Sequence, residues 1–357
     1  MTDKEPSQEL DDVMFLNEER YKRDYQPAYA QIGIEPTLLV QFPIILPFHV
    51  PLRSGTCVTF DLSENEACTL CFGNLTTRQG VHAGVVGGKP IMTTVHRSSV
   101  EMTFVFGDRT SVPSDHELSS VFDRLMEALN HLVVAYMAVT EDYRVHRVTK
   151  EMLEFGSLWR AFTPSPWKEE AAGIFLLHWQ VPIEKPELDA VSHERVVWYA
   201  SVLKQGWNPF ILPKELLLSA RRELLGGVYR DAVIFAQTAV ETFLSLLLTY
   251  AMKEEGMQEA EIESMMVESS FVTRLRKEYH HRFGGNWVVS SPSGEVSTWY
   301  NKTYGLRNRV AHGGYLPSWS EATSALDAAT EMLGYCTALV ERSRKRYPQL
   351  QRYFSPS

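Results

Sequence analysis

Residues 229–255, YRDAVIFAQTAVETFLSLLLTYAMKEE, decide how the second half of the chain is read. Between Asp231 and Lys253 there is one formal charge, Glu241, amid Ala, Val, Leu, Phe and Thr. Length and apolar spacing predict a helix buried around most of its circumference and stopped at Gly256. Gln237, Thr238, Glu241, Thr242 and Ser245 interrupt the apolar run, so a buried core helix is expected rather than a membrane span. Gln237, Glu241 and Ser245 fall four apart and form a narrow polar stripe. A carboxylate there is costly to bury unless a cation or several donors meet it, so the sequence predicts a partner for Glu241.

The neighbouring segments are helical too. Residues 214–225 form a periodic run stopped by Gly226-Gly227, and residues 259–283 another, with a break at Ser269-Ser270. A Gly/Ser/Pro-rich loop, 284–296, precedes a helix over 297–312, which Gly313-Gly314 and Pro317 end. The last helix covers 321–345. Upstream, GWNPFILP (206–213) carries two prolines, cannot continue a helix, and reads as the domain boundary.

Before that boundary the pattern changes. TLLVQFPIIL (37–46), TCVTFDL (56–62), ACTLCFGNL (67–75), PIMTTVHR (90–97) and VEMTFVFG (100–107) each read as a strand, with a turn at Gly84, Gly87 and Gly88. Ser114-Asp115 offers an N-cap for an amphipathic helix over 117–139. GIFLLHWQV (173–181) reads as one more strand, and 190–203 as a helix. The fold class expected is an α+β N-terminal domain, 37–206, followed by an all-α helical bundle, 207–346. Residues 1–36 read as a polar lead-in, extended or partly helical, and 347–357 as a tail. Trp159, Trp167, Trp179 and Trp198 read as packing groups of the N-terminal domain.

With 44% hydrophobic and 22% charged residues among 357, the composition is that of an ordinary globular protein. The N-terminus is polar and acidic where a signal peptide needs an apolar run, so a cytoplasmic protein without membrane association is expected. Cys57, Cys68, Cys71 and Cys336 suggest no disulfide framework. Cys68 and Cys71 form a C-x2-C with no second pair behind it, so no metal site is expected. The net charge of −9 excludes non-specific coating of nucleic acid. Residues 1–206 hold 18 Lys+Arg against 28 Asp+Glu, whereas 207–357 hold 17 against 16, which points any phosphate binding to the C-terminal half.

In that half, YGLRNRVAHGG (304–314) brings together the side chains with chemistry to offer. Asn308 and His312 are four apart and share a helix face; Arg307 is one step round and long enough to reach it. His312 lies in the last turn, where unpaired carbonyls and the helix dipole favour positive charge. Together with ARRELLGGVYRDAVIFAQTAVE (220–241), this segment resembles the HEPN superfamily, in which a small-residue turn and a Tyr lead into a helix ending Ala-x-Glu. LRNRVAHG (306–313) is similar to the HEPN Arg-x4–6-His motif. The resemblance covers 207–346 and is closest to the Apea-like branch.

That resemblance implies a metal-independent endoribonuclease whose site is assembled across a homodimer, with a role in stress response or defence and no cofactor. Carried over, His312 is general base or acid, Arg307 stabilises charge on phosphate, Asn308 orients a phosphate oxygen or the imidazole, and Glu241 positions Arg307 through a buried ion pair. The alternative it implies is a non-catalytic dimerisation or interaction module with a regulatory N-terminal domain. Arg274, Arg276, Lys277 and Arg309 are the residues expected to guide RNA to the site.

Overall fold

Side chains alternate across a strand, and that alternation gives the N-terminal sheet two chemically different faces. The computed structural model describes residues 16–86, 89–178, 187–205 and 208–354, with side chains placed except at 77–86, 89–93, 199 and 201–205. A helix, α1 (residues 18–31), includes a π turn at Tyr21–Tyr25. It precedes β1 (Leu38–Ile45), β2 (Thr56–Ser63), β3 (Glu66–Val86) and β4 (Lys89–Phe106). Helix α2 (Asp115–Thr140) follows, then β5 (Gly156–Pro164) and β6 (Trp167–Leu176). Every strand pairing is antiparallel, and the order across the sheet is β2-β3-β4-β1-β5-β6.

One face is apolar. Val40, Phe42, Leu70, Met102 and Phe104 form a core with Leu118, Phe122, Leu125 and Leu129 of α2, and Phe42 meets Phe122 edge-on at 5.1 Å. Ser114 starts α2 through a capping box with Glu117, the N-cap that the sequence proposed. The opposite face carries Gln41, Thr69, Glu101 and Thr103, all buried. Tyr21, Tyr25 and Tyr29, four apart along α1, cover it. Arg20 Nη1 donates to Glu101 Oε2 at 2.8 Å, Tyr25 donates its hydroxyl to the other Glu101 oxygen, and Tyr29 bonds Thr69 Oγ1 at 2.8 Å. The polar lead-in expected at 1–36 is, over 18–31, a packed helix whose charged residues hid its tyrosine stripe.

PIMTTVHR and VEMTFVFG are not two strands but parts of β4, which runs unbroken opposite an equally extended β3. The strand read at 173–181 begins earlier, at Trp167, and β5 pairs with it, unforeseen. Cys57 and Cys71 lie directly opposite each other on β2 and β3 and are joined as a disulfide; a pairing set by hairpin register is invisible in residue spacing. Cys68 and Cys71 point to opposite faces, with Cys68 in the α2 core and Cys71 under α1. Trp159 packs beside the α2 core and Trp167 stacks on Phe162 at 5.1 Å. Trp179 and, of the proposed turn, Gly87 and Gly88 lie outside the described residues.

The chain divides into two compact units, Met1–Pro182 and Ile183–Ser357. The division falls earlier than the proline-rich segment at 206–213, of which Gly206 and Trp207 lie outside the described residues. Helix α3 (Ala190–Gln205), with a half-exposed Trp198, therefore belongs to the second unit. That unit continues with α4 (Ile211–Leu225), α5 (Tyr229–Glu254), α6 (Glu259–Glu268) and α7 (Phe271–Glu278). The break foreseen at Ser269-Ser270 separates α6 from α7, where Ser270 caps α7. After a loop come α8 (residues 295–313) and α9 (Trp319–Arg342).

Helix α5 is the centre of this unit. Ala236, Val240, Leu244, Leu247 and Leu248 are fully buried and pack with Leu306 and Val310 of α8 and with Ala325, Ala329 and Met332 of α9. It is the one helix among the described residues long and apolar enough to cross a membrane, but 56% of its most apolar window is buried in this core. The tail foreseen from 347 onward is in fact core. Tyr347 and Leu350 are buried, and Phe354 packs on Phe210 at 4.6 Å.

Candidate functional site

Helix α8 is built in three pieces. Glu295–Trp299 is α-helical, Tyr300–Tyr304 forms a π turn, and Gly305–Gly313 returns to α. A π turn inserts one residue and re-aims every side chain beyond it. Here it is fixed from both sides: Trp299 is fully buried and Thr303 Oγ1 donates to Ala325 O at 2.7 Å. Beyond the turn, Leu306 and Val310 point into the core, which leaves Asn308 and His312 on the far face and Arg307 on the flank.

Arg307 and Asn308 are half-buried and His312 is exposed. Arg307 Nη1 donates to Asn308 Oδ1 at 3.2 Å, so the guanidinium and the amide are held together. The helix ends at Gly314, whose φ of 62° is the left-handed conformation, and Tyr315 N–H returns to Arg309 O at 3.2 Å. That closure leaves the His312 ring at the rim of the unit rather than inside it.

Glu241 does not meet Arg307. No ion pair joins them; the carboxylate instead accepts from Gln237 Nε2 at 3.0 Å, one turn back on the same helix. Gln237 is fully buried and its own carbonyl accepts from Trp299 Nε1 at 3.0 Å. A relay thus runs from the indole before the π turn, through an amide, to the acid. The expected buried ion pair is absent because Glu241 is only half-buried and an amide at i−4 already satisfies it. Trp299 was missed in the sequence; the signal available was a tryptophan two turns ahead of the Arg-x4-His segment with one buried amide to meet it.

A test follows from that arrangement. Glu241→Gln keeps an acceptor for the Gln237 amide and breaks no ion pair, so it is expected to change stability by less than about 0.5 kcal/mol in urea unfolding. A loss on the order of 3–5 kcal/mol would mean that a cation does depend on this acid.

The four residues expected to guide RNA separate. Arg274 is buried and caps the C-terminal end of α6, donating to Met266 O at 2.7 Å and to Ser269 O. Unpaired carbonyls at a helix end attract a cation, so Arg274 is a structural group and not an RNA contact. Arg309 lies with its guanidinium carbon 3.7 Å from the Tyr315 ring centroid and its Nη1 3.8 Å from Glu321 Oε1, tied to the start of α9. Arg276 and Lys277 are exposed on α7. Arg282, just beyond α7, is buried between Glu255 and Glu278 at 3.0 and 2.6 Å.

Among the described residues no group of three or more His, Cys, Asp or Glu side chains is placed to hold a metal ion. Comparison with family models, curated proteins and solved structures gave no match to this chain.

Proposed function

We propose that the second unit is a HEPN-type endoribonuclease and that the protein acts as a homodimer on RNA. The observation that carries this reading is a solvent-facing imidazole, His312, one turn beyond a half-buried guanidinium–amide pair, Arg307 and Asn308, on one rigidly ended helix. General base catalysis needs a group that substrate can reach, and charge stabilisation needs a cation held in place. Here the two needs fall on adjacent turns.

In this reading His312 takes the proton of a ribose 2′-hydroxyl. The 2′-oxygen forms a bond to the adjacent phosphorus, the bond from phosphorus to the 5′-oxygen breaks, and that oxygen leaves with a proton from a second acid. A 2′,3′-cyclic phosphate results. One imidazole cannot be base and acid in the same step, so the second acid falls to His312 of another copy. The N-terminal unit then serves as a regulatory domain in a stress or defence response.

The test is cleavage of RNA by the purified full chain in EDTA. His312→Ala is expected to lower the rate by at least about 10²-fold, the lower range for losing a general acid–base, and Arg307→Ala to do the same while both variants keep the wild-type melting temperature. Equal background from wild type and both variants would leave a non-catalytic interaction module as the reading.

A further inference from the structure

We propose that a cleft beside the loop after α7 binds a small organic phosphate monoester. The cleft is about 670 Å³, the size of a small-molecule site. Its residues include none of Arg307, Asn308 and His312, so the inference does not depend on ribonuclease activity.

The wall is rigid. Trp287 Nε1 donates to Gly284 O at 2.7 Å, Asn286 N–H to the Tyr335 hydroxyl at 2.7 Å, and Val288 N–H to Asn286 Oδ1 at 3.1 Å. Gly285 has a φ of 78°, and a Cβ there would lie 2.4 Å from the Tyr335 oxygen. Only glycine lets the loop sit this close to α9. Such pre-organisation cuts the ordering cost of binding.

The chemistry is set by what the wall leaves over. Gly285 O can only accept, so the His280 Nδ1 2.8 Å away carries a hydrogen and donates to it. Nε2 is then the ring nitrogen left over. The exposed Arg276 guanidinium, a fork suited to oxyanions, and the Ser290 hydroxyl also line the cleft. No Asp or Glu lines it. The two N–H edges of the Arg276 fork and the Ser290 hydroxyl suit the three terminal oxygens of a phosphate monoester better than the two of a carboxylate. The exposed Val288, flanked by the edges of the buried Trp287 and Val289, provides an apolar side for the organic part.

Titration calorimetry of the full chain with phenyl phosphate, inorganic phosphate, benzoate and phenol tests this. Phenyl phosphate is expected to saturate one site per chain and to bind more tightly than the other three. Arg276→Ala should weaken it about tenfold or more, the scale of a lost charge-assisted contact, and His280→Gln should weaken it less. Both positions are exposed, and unchanged melting temperatures confirm that the variants fold. His312→Ala should leave binding unchanged, which separates this site from the proposed ribonuclease centre. Absence of saturable binding, benzoate binding as tightly as phenyl phosphate, or indifference to Arg276→Ala would each overturn the proposal.

Discussion

Trp299→Ala is expected to destabilise the helical unit by about 4–8 kcal/mol, the sum of a large-to-small core substitution and of an amide carbonyl left unpaired. The indole is fully buried and lies edge-on or tilted against Phe271, Tyr300 and Tyr304 at 6.0, 6.3 and 6.0 Å. Removing it opens a cavity that none of these rings can fill without leaving its own rotamer well. It also strands Gln237 Oε1, which accepts from the indole nitrogen. Domains of this size are commonly stable by only about 5–15 kcal/mol, so the variant is expected to be largely unfolded. Trp299→Phe divides the effect. It keeps most of the volume but not the donor, and about 1–3 kcal/mol is expected for the unpaired amide. Urea denaturation of both variants measures the division. A Trp299→Ala protein within about 1 kcal/mol of wild type would show that the relay to Gln237 and Glu241 does not hold α8 on α5.

The same relay explains which parts of the site could be read in advance. Arg307 and Asn308 are neighbours that the structure finds bonded to each other, and His312 follows one turn on, exposed. The partner of Glu241 is a different kind of question. It depends on how α8 rotates past its π turn, and nothing local in YNKTY announces an inserted residue. Gln237, four residues back, was visible as part of the polar stripe, but a cation looked like the stronger claimant. In the N-terminal unit the long apolar runs showed strands, while their lengths and pairing register did not show, because β3 and β4 continue through residues without clear alternation. Helix α1 is the sharper lesson. EERYKRDYQPAY reads as charged, yet its tyrosines recur every fourth residue and are the part that is buried.

Arg20→Ala is expected to cost about 3–5 kcal/mol at neutral pH, because it leaves a buried carboxylate without its cation. Glu101 is 2% exposed and sits on the polar face of the sheet between Arg20 Nη1 and the Tyr25 hydroxyl. Burial pushes its carboxyl above the ordinary range, and the Arg20 charge and the Tyr25 hydrogen bond pull against that rise without cancelling it. The sign follows from proton counting. A carboxyl whose folded pKa lies above its unfolded one holds a proton in the fold that the unfolded chain has released, so its contribution is greatest in acid and is lost as pH rises through the folded value. Taking Arg20 away removes one of the forces lowering that value, which widens the window. The cost of Arg20→Ala should therefore be small near pH 4 and grow toward pH 8, by at most about 1.4 kcal/mol per pH unit. Adding Glu101→Gln to Arg20→Ala should erase that slope, since nothing is then left to ionise. Denaturation of the three proteins across this pH range measures it, and an Arg20→Ala cost that is flat with pH would mean that Glu101 is not the charge Arg20 serves.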